Sequence, residues 1–369
     1  MPVDFEALKG KPRVLIEVDL KPVAGTRFQP TGFPDLGPAL YDVPPSTEAE
    51  KNSFPGGIPT LLVESAQSMA NRLEAVCWDE GSGESGSLAP ELKGLPYVTV
   101  TLSGLGDGGD TTNSLQEFHR LNSPYIMSGT NSDGTAFDAV LKGELKLSGA
   151  KSEGDEKEGG DVAGVVNLRR LAQVCFKYDP NSLIHGVFLE KIAGRLRHPR
   201  ALSSFIEASG VARADSGGVK FDRALPKPSV AGVDAKGGYG NVPFHRSEFT
   251  AQSITAYFTI DLAQIRGYGL GDDATQLLIA LSLWKVRKFL DSSMRLRTAC
   301  ELELVEEEKS IRCKRPEKFG LPSAEDLGKQ VSGLIFKCKS AFASHVTTEL
   351  TWSGGKKKEE KATGKRGSK

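Results

Sequence analysis

Segments with strand periodicity and segments with helix periodicity alternate from residue 13 to residue 305, with no internal repeat. Gly-, Pro- or acid-rich stretches separate them. That order predicts an α+β fold, a sheet carrying helices and large insertions. Residues 13–20 (RVLIEVDL) alternate as an opening strand, and 96–102, 182–189, 252–260 and 295–305 also read as strands. Residues 64–78 (ESAQSMANRLEAVCW) form the clearest helix, with Ala66, Met69, Ala70, Leu73, Val76 and Cys77 on one face. Further helices are expected at 165–178, near 201–209, at 273–290 and near 323–340, while 135–147 suits either type. The stretches 22–59, 81–94 and 103–114 read as loops. The tract 150–161 and the tail 354–369, with seven Lys/Arg against two Glu, are too polar to fold alone. No Pro/Ser linker divides the chain into self-sufficient halves. The expectation is therefore one domain over 1–353, with insertions at 22–59, 80–94, 103–134 and 150–161, an excursion at 210–248, and a disordered basic tail.

Chemistry-bearing patterns are scarce. Lys+Arg and Asp+Glu number 47 each, so net charge does not announce a polyanion binder and only local charge is informative. The five cysteines are scattered without a CxxC pair, which fits a reducing compartment and neither a disulfide framework nor a zinc site. The N-terminus lacks an apolar signal core and no run reaches membrane-spanning length, so a soluble, cytoplasmic protein without a membrane partner is expected. The five histidines show no metal-ligand spacing, and neither GxSxG nor a Walker loop is present. No catalytic residue, metal or cofactor is predicted. Gly267-Tyr268-Gly269-Leu270-Gly271 could offer backbone N–H groups to phosphate, but Asp272 or Asp273 reads more simply as a cap on the helix behind it.

The cations are more telling. Residues 179–200 begin with the turn signal Asp179-Pro180-Asn181, continue through an apolar run, and end in Lys191, Arg195, Arg197 and Arg200. Guanidiniums gathered at one edge of a domain suit phosphate oxygens, because the forked donors stay charged at any physiological pH. His185, inside the apolar run, is either a hydrogen-bonded core histidine or a contact beside an RNA path. The polar face of 64–78, with Gln67, Ser68, Asn71 and Arg72, is either plain solvated surface or a nucleic-acid face. Lys285, Arg287, Arg295 and Arg297 form another basic group. In the 210–248 excursion, Lys220, Phe221, Arg223, Lys227, Lys236, Tyr239, Phe244, His245 and Arg246 interleave aromatics with cations, as sequence-tolerant single-strand binding requires.

Three segments, 64–79, 179–208 and 244–303, together resemble the RAMP-superfamily backbone subunit ("Cas seven") of type I-G CRISPR–Cas Cascade complexes, the subtype formerly called I-U. The resemblance spans most of residues 10–305. It implies an RRM-like (ferredoxin-like) palm with finger and thumb insertions. Copies of such a subunit assemble head to tail along a CRISPR RNA, kink it with a thumb, and present it for pairing with target DNA. The implied partners also include a large subunit and a fused end-capping and processing subunit. On that reading Ser65, Gln67, Ser68, Asn71 and Arg72 contact RNA, Arg195, Arg197 and Arg200 continue the groove, and 210–248 is the thumb. No standard RNA-recognition aromatic signature is visible on a strand, so stacking falls to the thumb or loops. The rival reading is a metal-dependent endoribonuclease of the same superfamily, with Asp215, Asp222 or Asp234 as the metal-binding carboxylate.

Overall fold

The structure of the protein, a computed structural model, describes residues 2–33, 35–83, 85–103, 110–147, 166–190, 192, 195–223 and 239–354. The tract 150–161, Lys191, Lys227, Asp234, Lys236 and all but the first residue of the tail 354–369 lie outside them. The chain divides into two compact units, one of residues 1–81, 86–94 and 199–339, the other of 82–85, 95–198 and 340–369.

The first unit is built on an antiparallel sheet. Its order runs Arg295–Arg297, Cys300–Leu304, Arg13–Pro22, Ser253–Asp261, Leu202–Ser209, Ile58–Glu64 and Leu40–Val43, with Ile311–Arg315 also paired to the opening strand. Alternation decides which side of each strand is buried. Val14, Ile16, Val18 and Leu20 are buried, as are Ile254, Ala256, Phe258 and Ile260 two positions apart on the next strand. The helix Asp272–Leu290 packs on that side, with Phe289 against Phe258 at 6.2 Å. It is apolar nearly all round because the helix Ala324–Cys338 covers its other flank. The helix Ala66–Ala75 packs on Leu202–Ser209 and on Asp272–Leu290. Met69, Ala70 and Leu73 form its buried face, as the spacing predicts.

Two predicted elements change type, and both changes have a physical cause. Residues 201–209, expected to be helical, form the strand Leu202–Ser209 between two others, with Leu202, Ser204, Ile206 and Ala208 inward. Burying Leu202 and Ile206 contributes roughly 1.5–3 kcal/mol each. Helix-propensity differences of about 0.7 kcal/mol or less per residue cannot compete with that. Residues 182–189, expected to be one strand, begin instead as the buried helical turn Asn181–His185. Asp179 starts that turn by accepting hydrogen bonds from the Asn181 N–H (3.1 Å) and the Ser182 hydroxyl (2.8 Å). Gly186, at φ 78°, ends it before the strand Val187–Leu189.

Smaller differences follow the same logic. The 22–59 loop contains the edge strand Leu40–Val43 and a helix Glu48–Ser53 closed by a Thr47/Glu50 capping box. Within 81–94, Leu92 is fully buried in a 3₁₀ turn and Ser87–Leu88 pairs with Trp78–Asp79. Residues 295–305 split into a hairpin, and 135–147 resolves as the helix Phe137–Glu144. No side chain caps the helix Asp272–Leu290; Gly271 is its N-cap, and Asp272 and Asp273 sit in the first turn, where the helix dipole favours them.

The second unit pairs Tyr97–Ser103 in parallel with Thr347–Ser353 and antiparallel with Asp110–Asn113. Helices Phe137–Glu144 and Leu168–Tyr178 meet through Phe137 and Tyr178, edge to face at 5.3 Å. A small hairpin, Val187–Leu189 with Leu196–His198, carries the end of the cationic run.

Candidate nucleic-acid interface

Described residues of the 210–248 excursion form a two-stranded ribbon, Ala212–Lys220 paired with Val242–Thr250. It continues the adjacent sheet strands Leu202–Ser209 and Ser253–Asp261 outward. Gly210 makes the corner: its φ is 62°, and a Cβ there would lie 2.7 Å from the Gln252 side chain. At the base of the ribbon Phe249 is fully buried and bridges Phe28, while Glu248 meets Arg27 at 3.7 Å. Beyond the base both faces of Ala212–Lys220 open to solvent. Phe221, Tyr239 and Phe244 are 76%, 51% and 45% exposed. The Arg246 guanidinium lies 5.1 Å from the centre of the Phe244 ring. His245 is exposed beside them and faces Gly217 across the ribbon, where a Cβ would meet the Phe244 carbonyl oxygen at 2.6 Å. The ribbon thus sets the half-buried Arg246 against the exposed Phe244, with His245 exposed between them, and Tyr239 is exposed shortly before the second strand.

The polar face of the helix Ala66–Ala75 is mixed. Gln67 is exposed, and Ser68 and Asn71 are half-buried on the outer side. Ser65 is the N-cap and its hydroxyl accepts from the Ser68 N–H at 3.3 Å. Arg72, expected to face phosphate, turns inward. It donates to the carbonyls of Arg295 (3.3 Å) and Leu296 and reaches Glu64, 1% exposed, at 3.3 Å. Arg297 grips the same carboxylate and donates to the carbonyls of Gln29 (3.1 Å) and Val63 (3.0 Å). One buried carboxylate therefore holds two guanidiniums, which join the helix to the hairpin of residues 295–304.

The rest of that predicted basic group is also engaged internally. Lys285 is fully buried, with its ammonium donating to the Leu73 carbonyl at 3.4 Å. Arg287 binds Asp291 and Glu308, and Arg295 meets Glu301 at 3.1 Å.

The 195–200 cluster is divided between the units. Arg200, in the first unit, donates to the Ala66 carbonyl at 3.3 Å. Arg195 and Arg197 lie on the small hairpin of the second unit, both exposed. Arg197 stacks on Phe188, its guanidinium 4.9 Å from the ring centre. His185, 1% exposed, lies among core side chains, so of its two readings the core one fits its burial. Beside it Asp179 is fully buried; burial pushes its carboxyl upward, against the pull of Ser182, Asn181 and Arg120.

Periodicity gave no notice of the other side of the main sheet. There Phe205 and Tyr257 face one another across strands and stack at 5.0 Å with planes 23° apart. Around them Tyr41 donates to Glu207, and Arg312 binds Asp19 at 2.8 Å. The Arg312 hydrogen bond holds the Asp19 carboxyl below its ordinary value. Asp19, Phe205, Glu207 and Tyr257 sit at odd positions of strands whose even positions the core selected; the aromatic at 205 and the aromatic at 257 were the available signal.

Nothing in the described residues gathers a nucleophile or a metal. Burial pushes the Cys300, Cys313 and Cys338 thiols up to about 11, leaving them protonated at neutral pH. No group of three or more His, Cys, Asp or Glu side chains is arranged as metal ligands among the described residues. Asp215 pairs with Arg213 at 2.8 Å, and the backbone N–H of Asp222 donates to the Asn241 side chain at 2.9 Å. No helix among the described residues is long and apolar enough to cross a membrane.

A comparison with known proteins adds a family. The chain is 12% identical to a chain of a CRISPR RNA-guided surveillance complex, pre-nicking, with a TM-score of 0.36 over 79% of this chain and 76% of that one. It is 10% identical to Csc2 of Thermofilum pendens, with a TM-score of 0.28 over 92% and 80% of the two chains. No curated protein matches it. The model of the CRISPR-associated protein GSU0053 family matches residues 14–213, more than half of the chain. That match, and not the two distant structural likenesses, makes this chain a member of the CRISPR-associated protein GSU0053 family.

Proposed function

We propose that the chain is a non-catalytic guide-RNA-binding backbone subunit of a type I-G Cascade complex. In this reading copies polymerise head to tail along a CRISPR RNA and hold its ribose-phosphate chain. They present its bases for pairing with target DNA, alongside a large subunit and an end-capping and processing subunit. Membership of a CRISPR-associated family supports the setting. The observation that carries the function is the ribbon, an outward hairpin whose exposed aromatics and cations have no core to serve. Stacking on Tyr239 or Phe244 suits any base, and Arg246 and His245 lie where a phosphate would follow.

The strand order supports an RRM-like palm. Read along the first unit, strand 13–22, helix 66–75, strand 202–209, strand 253–261, helix 272–290 and strand 300–304 give the sheet order 4-1-3-2. The ribbon then falls between the second and third strands, as a thumb inserted into that palm.

The test is the triple variant Tyr239→Ala/Phe244→Ala/Arg246→Ala in the full chain. Stacking is worth about 1–3 kcal/mol per base, so affinity for a single-stranded RNA of about 20 nucleotides should fall tenfold or more in fluorescence anisotropy. The circular-dichroism melt should hardly move, because Tyr239 and Phe244 are exposed and the half-buried Arg246 loses only its contact with the Phe244 ring. Unchanged RNA affinity overturns the proposal.

A further inference from the structure

We propose that a second face of the first unit, the pocket between residues 11–13 and 314–319, binds the phosphodiester backbone of a single nucleic-acid strand. The inference rests on the reading above that this chain handles nucleic acid, and it adds a contact far in sequence from the ribbon. Lys11-Pro12-Arg13 leads into the opening strand, and Lys314-Arg315-Pro316-Glu317-Lys318 leaves the strand paired to it, with Leu15 opposite Arg315. Pairing brings together two short basic runs that the sequence keeps some three hundred residues apart. The Arg266 guanidinium donates to the Lys11 carbonyl and holds that approach in place.

The pocket is a concavity of about 560 Å³ with Ala7, Pro12, Pro316 and the nearly buried Phe319 as its apolar lining. Around it Lys11, Arg13, Arg315 and Lys318 are exposed, and no carboxylate among the described residues lies within ion-pair distance of them. Only Lys314 is engaged, with Glu17 at 3.6 Å. Glu317 is the single acidic side chain of the lining. By contrast, Arg72, Arg287, Arg295, Arg297 and Arg312 of this unit each have a carboxylate. Four uncommitted cations held by two rigid segments repel one another, and a polyanion relieves that repulsion by taking the place of condensed counterions. A concave site of this size takes a nucleotide or two of a bent single strand, with sugars on the prolines and Phe319. The convex surface of a duplex would not enter it. The cations at its rim match phosphate oxygens, so the proposed contact reads charge and shape rather than sequence.

The test uses the full chain with Arg13→Ala/Arg315→Ala/Lys318→Ala. Probes are single-stranded RNA and single-stranded DNA of about 20 nucleotides, each titrated across salt. The plot of log affinity against log salt should flatten by about 2, near 0.7 per lost phosphate contact. Lys51→Ala/Lys329→Ala removes two exposed lysines paired elsewhere with Glu48 and Glu325, and should leave the slope alone. Flattening with RNA alone assigns the pocket to the guide, and flattening with DNA alone assigns it to the target. An unchanged slope with both probes, or equal flattening in the lysine control, overturns the inference. Should the triple variant lose its circular-dichroism signal, Lys11→Gln/Lys318→Gln, outside the strands, reads the same slope with an expected loss of about 1.4. If the ribbon variant weakens RNA binding while the pocket variant leaves the slope unchanged with both probes, only the pocket assignment fails. If neither variant changes binding of either probe, the guide-RNA reading fails with it.

Discussion

Arg72 and Arg246 are both arginines that follow a polar residue in the sequence, yet the fold puts them to opposite uses. Arg72 points inward, shares the Glu64 carboxylate with Arg297, and donates to backbone carbonyls. Arg246 lies on an open ribbon over the exposed Phe244 ring. The difference is the company each keeps in space. A guanidinium near a buried carboxylate is held by an attraction that low local dielectric strengthens. One over an exposed ring keeps its donors for a ligand. Basic composition therefore marks candidates, and only pairing tells a structural clamp from a binding group.

The sharpest break of this comparison is Glu64→Ala. It leaves two guanidiniums without the carboxylate between them, and breaking a buried pair from one side costs about 3 kcal/mol or more. Chemical denaturation should show a clearly lower midpoint, and a midpoint close to the parent would mean that solvent already screens the cluster. The next test sets two arginine changes side by side. Arg72→Ala should lower the denaturation midpoint and leave the salt slope of RNA binding unchanged. Arg195→Ala/Arg197→Ala should do the reverse, flattening the slope by about 1.4 with the midpoint intact. An Arg72 variant that flattens the slope would return that side chain to the RNA path.

The smallest expected effect is a pH dependence. Burial raises the Asp179 carboxyl above the ordinary carboxylate value. The folded chain therefore keeps a proton that the unfolded chain releases, and this group's contribution to stability falls as pH rises from the ordinary value to the raised one. Asp179→Asn cannot titrate. Its denaturation midpoint, relative to the parent, should rise as pH climbs above the ordinary carboxylate value. A constant difference across that range would show that Asp179 stays ionised in the folded state.

Much of the core was legible along the chain. The alternation of Val14, Ile16, Val18 and Leu20, and the helical spacing of Met69, Ala70 and Leu73, each predict the buried face that the fold uses. So was the excursion, since interleaved aromatics and cations such as Phe244 and Arg246 are poor core material. Leu202–Ser209 was not legible as a strand, because its burial comes from neighbours on both sides that lie far away in sequence. The helical turn at Asn181–His185 was missed for a local reason: Asp179-Pro180-Asn181 marks a turn, but the apolar run behind it also suits a strand until Asp179 is seen accepting from Asn181 and Ser182.

Local pattern alone thus determined the strand and helix periods, the mixed α+β class and the open, cation-bearing excursion, because those follow from side-chain spacing within a few residues. Tertiary structure decided which charges are neutralised. It joined Glu64 to Arg297 and left Lys11, Arg13, Arg315 and Lys318 around one pocket. Electrostatic pairing depends on distances of a few ångströms between groups hundreds of residues apart, and no local pattern encodes such distances.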